Sequence, residues 1–463
     1  MDKGKIFQNE VNNIIKKRFD YHIALLYPST YRSSLSSLGY QLIYFYLNSF
    51  EEIFAERVIT ESRGDYISIE TGTPLSKFDI IFASAHYELE YPEIIRTLLR
   101  SRISPLKEER NRPILIIGGP SPTANPFPMG KVADFIFRGE FESTGKKFFD
   151  SIQYIDNPKK FKEMLSSIEG FWSLENRTEK ISIVKDLDSS FFPIIQIQNP
   201  HTEPILGKGL MVETSRGCNR GCFFCMESAI SLFRRERSEN KIIELIERGL
   251  EVNNLNRVIF FSLSFFDSAL GEKILKYVVD RGIEASIPSV RIDSLDDNKI
   301  ELIKKAGQKT LTVAPETGIY ELRKSIGKPI KDEMILQIAE KLKALDMGIK
   351  LYYMIGLPGE RQSDLDAIIA QVEYFWKTLR NKKKIKVSVN PFIPKPLTKM
   401  ENEKMEEANE LQRKIDYLNA KLSKISEFEY YPPKLARLQY TINSLGENAH
   451  VFLIEHALKK IRD

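Results

Sequence analysis

Cys218-Asn219-Arg220-Gly221-Cys222-Phe223-Phe224-Cys225 holds all three cysteines of a 463-residue chain. An odd number cannot close into a disulfide set, and structural thiols scatter rather than cluster. Three thiolates on one tight loop can ligate three irons of a cubane cluster and leave the fourth iron open. Gly217 and Gly221 let the backbone bend around such a group. Zinc is the rival ion, but it favours four closed ligands or a nearby histidine. The nearest histidines along the chain are His201 and His450.

Downstream of this loop, strand patterns recur. They lie near 210–214, 257–263, 284–288, 310–314, 349–355 and 385–390, with helix-length segments between them. Six β/α units in a row predict a partial (β/α)6 TIM-type barrel over 206–400, with catalytic groups at the carboxyl ends of its strands. Upstream, residues 21–155 alternate strand and helix signals: His22–Tyr27, Phe78–Ser84, Pro113–Gly118 and Asp134–Arg138 as strands, Ser36–Leu47 and Glu90–Arg100 as helices. Short apolar runs bounded by turn residues predict a doubly wound, Rossmann-like α/β domain whose ligands sit beyond the strand ends. Pro193, Pro200 and Pro204 mark 156–205 as an extended linker. Residues 401–463 read as a helical C-terminal region rich in Lys and Glu. Within 1–20, residues 5–19 read as an amphipathic helix.

Hydrophobic residues make up 42% and charged residues 28%, the balance of a soluble globular protein. The formal charge of +5 is mild for this length and does not single out a nucleic-acid partner. No apolar run approaches the ~20 residues that cross a membrane. The charged start, Met1-Asp2-Lys3-Gly4-Lys5, does not resemble a secretory signal, which leads us to expect a cytoplasmic protein.

The pattern Cys-x-x-x-Cys-x-aromatic-Cys, with Phe224 as the aromatic, resembles the signature of the radical S-adenosylmethionine superfamily. Ala314-Pro315-Glu316-Thr317-Gly318, followed by Arg323 and Lys328, resembles the family's fourth-strand segment. Tyr353-Met354-Ile355-Gly356-Leu357-Pro358-Gly359-Glu360 resembles its glycine-rich fifth strand. Phe392-Ile393-Pro394-Lys395-Pro396 is similar to the sixth strand of the branch that includes methylthiotransferases. The resemblance implies a 4Fe–4S cluster on Cys218, Cys222 and Cys225. S-adenosylmethionine on the open iron is then cleaved to a 5′-deoxyadenosyl radical by an electron from a carrier such as ferredoxin or flavodoxin. It also implies cofactor contacts from Phe224, from Ser262 and Ser264 after the second strand, and from Ser289 and Arg291 after the third. Glu316, Arg323, Gly356, Gly359 and Glu360 complete that set. The family's usual Gly-Gly-Glu after the second strand is absent. Glu316 also counts as catalytic, because a carboxylate at a barrel strand's carboxyl end rarely serves packing.

Residues 21–145 resemble cobalamin-binding domains fused ahead of such barrels. Gly118-Gly119-Pro120-Ser121-Pro122 and Arg138-Gly139-Glu140-Phe141-Glu142-Ser143 carry this resemblance. It implies cobalamin contacts from His86, Tyr87, Gly118, Gly119, Pro120, Gly139 and Glu140. Many cobalamin domains carry Asp-x-His-x-x-Gly after the first strand, whereas this loop reads Ser29-Thr30-Tyr31-Arg32-Ser33-Ser34. We therefore expect cobalamin with its nucleotide tail displaced toward the Gly118-Gly119-Pro120 turn, and with His86 or Tyr87 under the corrin. The activity implied is cobalamin-dependent methylation or other carbon–carbon bond formation, including alkyl coupling or ring closure. Methylthiolation of tRNA or protein is the alternative, although that chemistry uses a second cluster on three further cysteines. A non-catalytic cluster-containing binder is the third reading. Lipid, tRNA, peptide and small metabolite stay open as substrates.

Overall fold

The computed structural model describes residues 9–61 and 66–462. The chain divides into two compact units, one of residues up to 208 with 251–253 and 441 onward, the other of 209–250 with 254–440.

The first unit is built on six strands: β1 (Tyr21–Tyr27), β2 (Ile53–Ile59), β3 (Ile80–Ser84), β4 (Ile114–Gly118), β5 (Phe135–Phe137) and β6 (Phe171–Trp172). Their order is β2-β1-β3-β4-β5-β6, and only β6 runs antiparallel. Helices α1 (Tyr31–Leu35), α2 (Leu38–Asn48), α3 (Tyr91–Arg100), α4 (Pro120–Ala124), α5 (Gly145–Ile152) and α6 (Pro158–Ser166) connect them. The strand order reverses between β1 and β3, so their carboxyl ends bound the crevice where such sheets take ligands.

Strand β2 carries Glu56 and Arg57 at its centre, both fully buried. These charges hide the strand from a hydropathy reading. Each is partnered, as buried charges must be. Arg57 Nε lies 2.6 Å from Glu70 Oε1 and Nη1 2.9 Å from Glu10 Oε1. Glu56 pairs with His22 and accepts the Thr71 amide at 2.9 Å.

Two expectations change here. Of the amphipathic helix over 5–19, residues 5–8 lie outside the described residues, and residues 9–20 form no helix. Val11 instead bridges Gln198, and Lys16 Nζ donates to the carbonyls of Phe50 and Ile53 at 2.5 Å each. The stretch 156–205 is no free linker. It contributes α6 and β6 to the first unit, and Ser182 bridges Gly139.

The second unit holds β7 (Leu210–Glu213), β8 (Ser215–Arg216), β9 (Arg235–Glu236), β10 (Arg257–Phe261), β11 (Glu284–Ser286), β12 (Thr310–Glu316), β13 (Gly348–Ile355), β14 (Ile385–Pro391) and β15 (Glu427–Tyr430). Two parallel sheets, β7-β10-β11 and β12-β13-β14-β15, are linked by a bridge between Val290 and Val313, which gives a partial barrel. Strand β15 extends it beyond the six strands expected. Inside, Val258, Leu311, Val313, Ile349, Leu351, Val387 and Val389 form one apolar core. Its helices are α7 (Met226–Ile230), α8 (Glu239–Asn253), α9 (Ala269–Asp280), α10 (Asp297–Lys305), α11 (Tyr320–Ser325), α12 (Asp332–Ala344), α13 (Gln362–Leu379), α14 (Ala408–Leu422) and α15 (Pro433–Ser444), of which residues 251–253 of α8 and 441–444 of α15 belong to the first unit.

The C-terminal region 401–463 is therefore not one tail. Helix α14 and β15 belong to the barrel, whereas α16 (Ala449–Arg462) packs on α3 in the first unit. No helix among the described residues is long and apolar enough to cross a membrane.

Candidate active site

The cysteine loop leaves the carboxyl end of β7, the first barrel strand. Glu213 closes that strand and anchors the start of the loop, with Arg216 Nε at 2.6 Å and Arg237 Nη2 at 2.9 Å. Gly217 has φ +79°, and a Cβ there would stand 2.2 Å from the Phe233 carbonyl oxygen. Only glycine lets the loop start lie so flat. Gly221 also has positive φ but faces open space, so conformation alone selects it.

The loop is pinned from two later segments, the end of α11 and the stretch after β14. Phe223 donates its amide to Ile326 O at 3.0 Å, and its carbonyl accepts from Met400 N at 3.3 Å. Phe223 and Phe224 pack against Leu322, Ile326, Leu357, Phe392 and Met400. On the other side Arg220 forks onto Asp267, with Nε–Oδ2 2.8 Å and Nη2–Oδ1 2.7 Å.

All three thiols are partly buried. Burial pushes the Cys222 thiol up, while the nearby Lys328 and Arg291 charges oppose it. Iron ligation overrides such a shift, because a coordinating thiol is deprotonated outright. Among the described residues no three His, Cys, Asp or Glu side chains converge as a single metal ion requires. A cubane asks for something else, one thiolate per iron, and this all-sulfur donor set with cations beside it fits that group.

Glu316 ends β12 with φ +71°, just past a register shift in the β12–β13 pairing. The bulge turns its carboxylate out of the strand pattern. Lys328 Nζ sits 2.6 Å from it. Lys328, part of the fourth-strand resemblance but given no role there, thus touches Glu316 and acts on Cys222.

Arg323, expected as a cofactor contact, is fully buried and otherwise engaged. It donates to Ile330 O at 2.7 Å and Thr317 O at 2.6 Å and pairs with Asp332. It shapes the loop after Glu316 and has no free face for a ligand. Glu360 likewise turns inward. It accepts from Gly356 N at 2.9 Å and Lys414 Nζ at 2.6 Å, while burial raises its pKa. Gly356 is tight against Leu411, whereas Gly359 faces open space. Ser262 bonds Ser215 at 2.7 Å, and the carbonyl of the buried Ser264 accepts from Arg234 at 2.8 Å. Ser289 is exposed. Arg291 reaches the cysteine loop: its Nη1 lies 3.5 Å from Cys222 Sγ.

In the first unit, His86 and Tyr87 follow β3 at the crevice. The His86 side chain is 40% exposed and Tyr87 44% exposed. The His86 ring meets Tyr27, at the end of β1, at 5.7 Å between centroids. Two accessible rings at the switch point fit a flat macrocycle. The glycine turn is shaped by close backbone packing. A Cβ on Gly119 would fall 2.3 Å from Ala85 O, so the chain's own backbone fills that space. Gly118 has ordinary contacts with Phe137, and Pro120 opens the five-residue α4. Gly139 and Glu140 are also structural: a Gly139 Cβ would meet Ser182 O at 2.0 Å, and Glu140 accepts from Val184 N at 2.7 Å.

Family comparison agrees with this site. The model described as "Radical SAM superfamily" matches residues 212–372, and "Radical SAM proteins, N-terminal" matches 39–173. The chain belongs to the radical S-adenosylmethionine superfamily. An uncharacterised protein of Methanocaldococcus jannaschii is 29% identical over 87% of this chain and 84% of its own length. The ribosomal protein uS12 methylthiotransferase RimO of Leptospira biflexa is 24% identical over 41% of this chain and 42% of its own. Among solved structures, the radical S-adenosylmethionine methyltransferase TsrM of Kitasatospora setae, with cobalamin and a 4Fe–4S cluster bound, aligns with TM-score 0.56 at 13% identity. That alignment covers 85% of this chain and 78% of TsrM. The cobalamin-dependent radical enzyme OxsB aligns with TM-score 0.53 at 15% identity, covering 92% of this chain and 61% of OxsB. Both units of this radical S-adenosylmethionine protein thus share the fold of cobalamin-dependent members.

Proposed function

We propose that this protein is a cobalamin-dependent radical S-adenosylmethionine enzyme that forms a carbon–carbon bond at an unactivated carbon, methylation being the simplest case. The observation that carries this reading is one chain joining the three-thiol loop to a doubly wound sheet whose switch point presents His86 and Tyr87. When bound, a reduced 4Fe–4S cluster cleaves S-adenosylmethionine to a 5′-deoxyadenosyl radical, and cobalamin carries the methyl group.

Cys218, Cys222 and Cys225 hold the cluster. Glu316, steadied by Lys328, offers a fixed carboxylate to the methionyl or ribose end of S-adenosylmethionine. The backbone of Gly356–Gly359 offers the adenine a surface without bulk. Phe224 and its apolar neighbours keep water from that side of the loop. His86 and Tyr87 would contact the corrin of bound cobalamin. The partial similarity to RimO favours a methylthiotransferase, but that chemistry asks for three further cysteines and this chain has three in all.

Anaerobic reconstitution tests the proposal. The protein should bind hydroxocobalamin at micromolar concentration with altered visible and electron paramagnetic resonance spectra. With dithionite it should convert S-adenosylmethionine to 5′-deoxyadenosine. No cobalamin binding refutes the cobalamin assignment. Unchanged spectra of the bound form in His86→Ala remove His86 from the site and leave the cofactor in place.

A further inference from the structure

Arg291 divides its guanidinium between a carboxylate and a cysteine sulfur. Its Nε and Nη2 lie 2.9 and 2.8 Å from Asp293 Oδ1 and Oδ2. Its remaining arm, Nη1, lies 3.5 Å from Cys222 Sγ. Asp293 is held in turn by Arg220 Nη1 at 3.4 Å, and Arg220 forks onto Asp267. The result is a ladder of alternating charge, Asp267–Arg220–Asp293–Arg291, that ends on one thiolate of the cysteine loop. The Arg291 side chain is only 13% exposed, so its interaction with sulfur is weakly screened.

A bidentate carboxylate fixes a guanidinium in plane and direction. With Asp293 occupying two donors, Arg291 has one arm to offer, and it points at Cys222. Hydrogen bonds to ligating sulfurs are among the levers that set the potential of an iron–sulfur cluster. Reduction adds negative charge to the cluster and its sulfurs. A donor and a positive charge at the sulfur therefore stabilise the reduced form more than the oxidised one, and the potential rises.

We propose that Arg291 sets the reduction potential of the cluster through Cys222, with Asp293 as the positioning residue that aims it. This rests on the cluster assignment made above. It differs from the role that family resemblance gives Arg291, a contact to S-adenosylmethionine, because it operates before any S-adenosylmethionine binds.

The test is a potentiometric titration of the anaerobically reconstituted protein with dithionite, without S-adenosylmethionine. The reduced cluster is read by electron paramagnetic resonance, and iron and sulfide are measured on every sample. Arg291→Gln should lower the midpoint, so that the reduced-to-oxidised ratio at the wild-type midpoint falls about tenfold, equivalent to ~59 mV for one electron. Arg291→Lys, which keeps the charge on a different geometry, should recover part of that shift. Asp293→Asn removes a negative charge, which raises the midpoint, and also the aim of Arg291, which lowers it, so it should raise the midpoint less in the wild-type background than in Arg291→Gln. An intact cluster with the wild-type midpoint in Arg291→Gln, or an Asp293→Asn shift equal in the two backgrounds, overturns the proposal. If Arg291→Gln holds no iron, Arg291→Lys supplies the second background: a smaller Asp293→Asn shift with arginine than with lysine supports the role, and equal shifts overturn it. Wild-type protein that binds no cluster refutes the function itself, an outcome the iron assay separates from an unmoved potential.

Discussion

Lys328 Nζ lies 2.6 Å from Glu316 Oε1, with side chains 8% and 11% exposed, and the same ammonium opposes the burial that raises the Cys222 thiol. One cation therefore serves both the carboxylate at the end of β12 and the cysteine loop.

Removing either partner of a buried pair leaves an uncompensated charge and costs about 3–5 kcal/mol. Lys328→Met should destabilise the protein by about that much. The Glu316→Gln, Lys328→Met double variant should lose less than the sum of the two single changes, as residues in contact do. Glu316→Gln alone should keep the cluster colour and weaken S-adenosylmethionine binding, read by equilibrium dialysis. Wild-type affinity in that variant removes Glu316 from the cofactor site.

Cluster content is the second expectation. Reconstituted protein should carry about four irons and four sulfides per chain. Alanine at Cys218, Cys222 or Cys225 should abolish the cluster absorbance. Eight irons per chain would revive the methylthiotransferase.

Two glycines of positive φ should respond differently to alanine. Gly119 has φ +118° and no room, with Ala85 O 2.3 Å from the absent Cβ. Gly359 has φ +81° and open space. Gly359→Ala should cost only the left-handed backbone penalty, about 1–2 kcal/mol. Gly119→Ala must also displace backbone, so its loss of unfolding free energy should be clearly larger. Equal losses would mean that the Ala85 contact relaxes freely.

These glycines also mark what the sequence could disclose. Apolar runs such as Pro113–Gly118 and the six barrel strands are periodic or continuously hydrophobic, and they form where expected. Strand β2 escaped because Glu56 and Arg57 read as surface, although partners distant in sequence neutralise them. The cysteine loop is legible because its three ligands are local. Arg323 and Glu360 look like ligand contacts in sequence, and only three-dimensional placement shows them turned inward. At the 118–119 turn, sequence shows the missing side chain but not the Ala85 backbone that lies 2.3 Å from the place of a Gly119 Cβ.

The Arg220–Asp267 fork makes the cysteine loop acid-sensitive. Burial favours the protonated Asp267 carboxyl, but the Arg220 fork, the Ser264 hydrogen bond and the Arg234 charge together hold the pKa below the ordinary 3.8. A depressed carboxylate contributes stability above its unfolded pKa and loses it as pH falls through the folded value. The stability gap between wild type and Asp267→Asn should therefore be constant near neutrality and close below about pH 4. Thermal unfolding of the cluster-free protein across that range measures it. A gap that persists to pH 2 would show that the pair contributes through packing rather than charge.

The last expectation concerns the C-terminal segment, which completes the first unit. Asn443 Nδ2 donates to Glu88 Oε1 at 2.7 Å, and its own side-chain oxygen accepts from Asn125 Nδ2 at 3.2 Å. Glu88 follows β3 and Asn125 follows α4, so one amide ties two loops at the carboxyl end of the sheet. Beyond it, α16 packs on α3, with Leu453 and Ala457 fully buried on one helix and Ile94, Ile95 and Leu98 on the other. Leu453→Ala should cost about 2–5 kcal/mol, the range for deleting a buried leucine side chain. Asn443→Ala should cost about 1–3 kcal/mol through the lost bonds. Because both residues belong to the unit without cysteines, the losses should appear in its unfolding and in cobalamin binding. Iron and sulfide content should stay at the wild-type level. Hydrogen exchange resolved by peptide, with iron analysis on the same samples, separates the two. Equal loosening of the barrel strands in Leu453→Ala would show that the units unfold as one.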